Sequence, residues 1–266
     1  MSKELSKKKP WVHHVTFFQR SGEDLPKDSA AISSNFDRKS RGALMSVEDF
    51  LSLERLTSYY DNNKEPLSLA IARYQWNLRL CAALYTPLHV FEIGLRNSVH
   101  RAISTKHGSE WLETPNTLSS REQATVQDAL SKLRKLKPSV TTGKLIAELS
   151  FGFWVALLYK KYESSATKQD HAFFWPFCLM EAFPHIPRNI RKRSEILRRL
   201  ERIKELRNRV FHHEPILKIP TLKERYDEIL EAISWLQGDS SVLLSECNFL
   251  EILHSQNPDG PALPSD

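Results

Sequence analysis

Glycine and cysteine are both scarce in this chain, and each scarcity removes a class of protein. Only eight glycines occur, with no Walker-type glycine loop and no G-x-G-x-x-G run, so neither an NTPase nor a Rossmann enzyme is expected. The three cysteines, Cys81, Cys178 and Cys247, lie far apart without C-x-x-C spacing, which predicts neither a disulfide framework nor a thiolate zinc site. A His212-His213-Glu214 run invites a metal reading, but H-E-x-x-H and any second ligand cluster are missing, so no metal and no cofactor is expected. Long apolar runs are lacking too. The longest nearly uncharged one, Phe151 to Tyr159, falls far short of the roughly 20 residues that cross a bilayer. The lysine-rich start is followed by no leader-like apolar segment. The expectation is a cytoplasmic protein with no membrane partner.

What is present is an ordinary globular composition, 41% apolar and 26% charged over 266 residues, enough to bury a sizeable core. The charge is unevenly placed. Of a net +6, residues 188–213 alone hold ten Lys or Arg against three Glu, or +7, and the rest of the chain sums to −1. A basic segment so concentrated is the footprint of a polyanion binder, with nucleic acid the first candidate. A solvated helix face is the plainer alternative.

Helical periodicity dominates the middle of the chain. Residues 1–40 read as a largely flexible basic arm, 41–254 as a helical domain and 255–266 as a disordered tail. A first helix is expected from Ser46, with Asp49 in a capping-box role. A second runs from Pro66 to Tyr85, and Pro87 ends it and opens a third carrying Leu88, Phe91, Leu95, Val99 and Ala102. Ser119 with Glu122 starts a fourth, and Thr141 or Thr142 caps a fifth that continues to Leu158. The basic helix stops near His213 because Pro215 follows, a last long helix spans Leu222 to Gln237, and a short one follows near Val242 to Leu253. Almost no window alternates with period two, so the fold class is all-α, a helical bundle with additional helices and mobile termini.

On the basic helix, Ile196, Leu200, Ile203, Leu206, Val210 and Phe211 form a stripe whose centre points along Arg207. A guanidinium aimed at the buried side needs a carboxylate, a subunit interface or a phosphate. Asn208 and His212 share one face, four residues apart. Together these types suit metal-free RNA cleavage, where an imidazole moves a proton and an arginine holds the phosphate. His213 lies about 100° further round an ideal helix, where it caps the helix or touches RNA. Arg191, Lys192, Arg193, Arg198, Arg199 and Arg202 are candidate phosphate contacts, or simply solvated. Trp154, Trp175 and Phe173 sit in apolar windows and read as core residues rather than base-stacking platforms. Glu92 and Arg96, at i and i+4, read as an internal salt bridge. With Asn97 they are alternatively groups that orient Arg207 or His212 from behind. Leu95-Arg96-Asn97 echoes Leu206-Arg207-Asn208, but His100 stands one residue short of the matching spacing.

Arg207-Asn208-x-x-x-His212 resembles the R-x4-6-H motif of the HEPN superfamily. Leu206 to Ile216, Tyr74-Gln-Trp-Asn77, Glu92-Ile-Gly-Leu-Arg-Asn97, Gly108-x-x-Trp111-Leu112 and Phe151-Gly-Phe-Trp154 are similar to words of its Abi-like, abortive-infection branch, together spanning most of the chain. The resemblance implies a helical HEPN domain that dimerises so that two Arg and His motifs face one shared cleft. It implies a metal-independent endoribonuclease toxin of phage defence, leaving a 2′,3′-cyclic phosphate or 3′-phosphate and a 5′-hydroxyl. In that reading Arg207 binds phosphate and the transition state, Asn208 orients, and His212 is acid or base. Such a toxin needs restraint, from a structured RNA or an antitoxin protein. The competing expectation is a non-catalytic RNA-binding or scaffold protein of the same fold.

Overall fold

The computed structural model describes residues 50–62, 65–136, 139–163, 171–239, 241–255 and 257–260. The expected arm over 1–40, the helix start at Ser46 and the chain from 261 onward lie outside the described residues. The described residues fold as helices: α1 (Leu53–Thr57), α2 (Leu67–His107), α3 (Ser120–Leu136), α4 (Thr142–Glu148), α5 (Phe151–Ala156), α6 (Leu179–Ala182), α7 (Arg193–Phe211), α8 (Leu222–Leu236), α9 (Ser241–Leu244) and α10 (Phe249–Ser255). No strand occurs among them, only one isolated bridge between Glu163 and Trp175. The fold class is all-α, as its periodicity predicts.

The spine is α2, and it corrects the expected break at Pro87. Trp76, Leu80, Leu84, Leu88, Phe91, Leu95, Val99 and Ala102 are all buried and recur every three or four residues straight through the proline. An internal proline costs a helix about 3 kcal/mol, whereas each large apolar side chain buried returns about 1.5–3 kcal/mol. Continuous burial on both sides therefore outweighs the local penalty, and Pro87 itself is buried inside the helix. Around this spine pack α1, α4, α5, α6, α7, α8, α9 and α10. The approach of α8 is close at Gly94, where an added Cβ would stand 3.2 Å from Leu236 Cδ1.

Two further boundaries differ from expectation. The fifth predicted helix is split into α4 and α5, because Leu149 is extended and the Ser150 hydroxyl caps a new start at Phe153 N–H. The last short helix is likewise two, α9 and α10. Trp154 and Trp175 are fully buried, as core residues should be, while Phe173 is half-buried.

The fourth predicted helix does start after Ser119, but the reciprocal backbone bonds of a capping box are not made, because Ser119 N–H donates to Tyr162 Oη at 3.0 Å. Ser119 Oγ donates to Glu122, and the buried Glu122 carboxylate also receives Lys161 Nζ at 2.5 Å and Tyr162 Oη at 3.0 Å. At the other end of the spine, buried Arg73 gathers Asp61, Glu65 and Asp259 at 3.0, 2.7 and 2.7 Å. That cluster joins the loop before α2 to the segment after α10.

Candidate functional site

The end of α7 carries the candidate residues, and of its predicted stripe Ile196, Leu200, Ile203, Leu206 and Val210 are buried while Phe211 is half-buried. Arg207 is held at the margin of that stripe rather than deep within it, with 24% of its side chain exposed. Its partner is a carboxylate: Nε donates to Glu92 Oε2 at 3.2 Å. The guanidinium also lies 4.2 Å from the Phe211 ring centroid, a cation–π contact. Phe211 stacks in turn on Tyr85 at 5.5 Å, and Tyr85 on His89 at 5.7 Å. Tyr85, His89 and Glu92 are i, i+4 and i+7 on α2, so one face of the spine receives the α7 terminus.

The ion pair expected between Glu92 and Arg96 is replaced by this one. Among the described ion pairs Glu92 meets Arg207, and the buried Arg96 Nε has no hydrogen-bond partner among the described residues. Glu92 thus takes the orienting role that was the alternative reading. Asn97 is exposed. His100 is engaged elsewhere: its Nδ1 accepts from Trp111 Nε1 at 3.0 Å.

The helix stops in a defined way. Glu214 N–H donates to the Arg209 carbonyl at 2.8 Å, and His213 N–H to the Val210 carbonyl at 3.2 Å. These are the paired bonds of a Schellman ending, which needs a left-handed residue at the position His213 occupies. His213 has φ 60°. Behind it, Asn77 Oδ1 accepts from Ile216 and Leu217 N–H at 2.7 and 3.3 Å, so α2 also fixes the chain leaving Pro215.

His212 caps α7 and is exposed, and Asn208, half-buried, accepts its backbone N–H at 2.8 Å. Both His212 and His213 line a cleft of about 430 Å³ together with Ser52, Glu54, Arg55, Ser58 and Glu214. His213 stands at φ 60°, so its backbone leaves the ideal helical path on which the 100° offset was expected. Arg207 is not among the residues lining this cleft; the guanidinium there is Arg55, whose Nη2 donates to the His213 carbonyl. Sequence reading had no signal for Arg55, since 158 positions separate it from His213.

The basic residues upstream are mostly engaged within the chain. Arg191 donates to the Ile186 carbonyl at 3.0 Å, and Arg193 to the Leu158 carbonyl at 2.7 Å while pairing with Glu163. Arg198 pairs with Glu195, Arg199 with Glu231 and Arg202 with Glu228. Lys192 and Arg198 are the exposed members of the six. Three of the six, Arg193, Arg199 and Arg202, therefore spend donors on holding α7 to its neighbours.

Among the described residues no group of three or more His, Cys, Asp or Glu is placed to hold a metal ion, and no helix is long and apolar enough to cross a membrane. The cleft brings together two histidines, one arginine, two serine hydroxyls and the carboxylates of Glu54 and Glu214, groups suited to proton transfer, with Arg55 as the one cation among them. No protein-family model, no curated protein and no solved structure matches the chain.

Proposed function

We propose that this protein is a metal-independent endoribonuclease of HEPN type, an abortive-infection toxin acting on cytoplasmic RNA as a homodimer under the restraint of an antitoxin RNA or protein. His212 moves a proton at the scissile phosphodiester, Arg207 binds phosphate and developing charge, and Asn208 orients them. One observation carries the reading: the R-N-x-x-x-H motif sits at a terminus braced by Glu92 and Asn77, with His212 exposed at a cleft. Bracing of this kind supplies the pre-organisation that acid–base catalysis requires. In the N-terminal half of the basic segment Arg193, Arg198 and Arg199 are paired with carboxylates, which weakens their contribution to RNA binding, and Lys192 is an exposed cation there that supports a phosphate contact.

The test is cleavage of a mixed RNA pool in EDTA by the wild-type chain, Arg207→Ala and His212→Ala, with product ends mapped. Cyclic phosphate ends, lost in both variants, support the reading. RNA bound equally by all three proteins and cut by none replaces it with a non-catalytic binding protein.

A further inference from the structure

RNA transesterification needs two proton transfers, one from the attacking 2′-hydroxyl and one to the departing 5′-oxygen. A single imidazole supplies only one group at a time. The cleft at the end of α7 contains two, on consecutive residues, and this arises from an unusual choice at one backbone position. The left-handed site that closes a Schellman ending normally holds glycine, because a Cβ there is strained. Here His213 occupies it at φ 60°. Across the cleft Ser52, which caps α1 through its hydroxyl, has φ 67°. Three non-glycine residues have positive φ among the described residues, and two of them line this one cleft. Strain kept where glycine would relieve it points to a side chain that is needed.

Arg55 is the cleft's cation. Its bond to the His213 carbonyl uses one of five guanidinium donors, and the remainder suit a phosphate oxygen. The other charged groups facing the imidazoles are Glu54 on α1 and Glu214, which Arg209 pairs at 3.5 Å. A volume near 430 Å³ is of the size that holds a small ligand, such as one nucleotide of a strand.

We propose that His213 and Arg55 complete the His212 site: His213 is the second proton-transfer group, and Arg55 holds a phosphate of the RNA strand in the cleft. The inference rests on the ribonuclease reading. In the step, the 2′-oxygen forms a bond to phosphorus and yields its proton to one imidazole. The P–O5′ bond breaks, its electron pair goes to O5′, and that oxygen takes a proton from the other imidazole in its protonated form. The products are a 2′,3′-cyclic phosphate and a 5′-hydroxyl, with charge and atoms balanced.

The experiment uses the full chain in EDTA with two probes: a short dye-labelled single-stranded RNA, and its all-2′-deoxy counterpart, which binds without being cut. His213→Asn keeps a residue type tolerated in the left-handed region, and His213→Gly removes the strain altogether. Both variants are expected to lose about 10²–10⁴-fold in kcat, to lose one limb of the pH profile, and to bind the deoxy strand as wild type does. Arg55→Met is expected to weaken deoxy-strand binding and lower its log–log salt slope by about 0.7, with Arg55→Lys restoring the slope. Unchanged kcat and pH profile in both His213 variants overturns that residue's role. Unchanged affinity and salt slope in Arg55→Met overturns the phosphate contact. A wild-type chain that binds the strand but cuts no RNA sinks the ribonuclease reading and the His213 role together, while the Arg55 contact still stands or falls on its slope. A wild-type chain that binds neither probe overturns both halves.

Discussion

Arg207 Nε and Glu92 Oε2 meet at 3.2 Å across 115 positions of sequence, and this contact ties the end of α7 to the middle of the spine. Both side chains are about three-quarters buried, so the cost of taking both charges from water offsets much of their attraction, and the net contribution to stability is small. Its effect is on where the guanidinium stands. Glu92→Gln is expected to shift the unfolding free energy by less than about 1 kcal/mol in urea titrations. In initial-rate assays it is expected to lower RNA cleavage on the order of tenfold, equivalent to about 1.4 kcal/mol in the barrier. A large stability loss with unchanged rate would make the pair purely structural.

His213 sets stability against activity. A left-handed L-residue costs about 1–2 kcal/mol, and glycine's greater freedom in the unfolded chain returns about half of that. His213→Gly is therefore expected to raise the unfolding free energy by up to about 1 kcal/mol, and His213→Val to lower it, because a β-branched residue is a genuine outlier at that φ. Thermal unfolding of the three proteins side by side checks the order.

Acid loosens the fold at Glu122 and at His100. Burial alone would raise the Glu122 carboxyl, but the bonds from Lys161, Ser119 and Tyr162 together outweigh it and hold the group below its ordinary value. A depressed carboxyl adds stability above its unfolded pKa and loses it as pH falls through the folded one. Burial also lowers His100, whose neutral Nδ1 receives Trp111. Its contribution is present above the unfolded value near 6.5 and declines below it. Unfolding free energies are expected to fall from pH 7 toward pH 4, and the fall to be shallower in His100→Gln. Glu122→Gln is expected to cost about 1–3 kcal/mol at pH 7.

Arg73 is a deeply placed charge, 4% exposed and met by three carboxylates and the Tyr59 carbonyl. Its bond lowers the Glu65 carboxyl, so the cluster is complete at neutral pH and weakens in acid. Arg73→Met is expected to cost about 1.5–3 kcal/mol and to free the segment around Asp259. Limited proteolysis followed by mass mapping reads the second effect: new early cuts near residues 257–260 are expected, and an unchanged digestion pattern would contradict it.

Local rules carried sequence reading a long way here and failed where distant groups decide. The stripe from Ile196 to Val210, the stop before Pro215 and the helix start after Ser119 all follow from residues near one another in sequence, and all form. Pro87 misleads because its cost is local while the burial of Leu84, Leu88 and Phe91 around it is tertiary. A row of arginines looks like a free basic face until Glu228 and Glu231 arrive from α8 to pair with Arg202 and Arg199. At the candidate site the motif residues were legible, whereas Arg55 and the bracing by Asn77 arise only once α1, α2 and α7 converge. The turn at His213 is a middle case, since Pro215 announces the stop but not the left-handed backbone at which both histidines border one cleft.

The unbroken α2 also sets what kinds of sequence change this fold can absorb. Its 41 residues make a rod of about 60 Å, in which each residue advances about 1.5 Å and turns about 100°. Arg73, Trp76 and Asn77 engage partners near its start, Glu92 near its middle, and Ser98 and His100 towards its end. One residue inserted or deleted between these groups would rotate one set away from its partners while leaving the other in place. The helix thus acts as a ruler for the molecule, and length variation belongs in the connections around it, not in the spine.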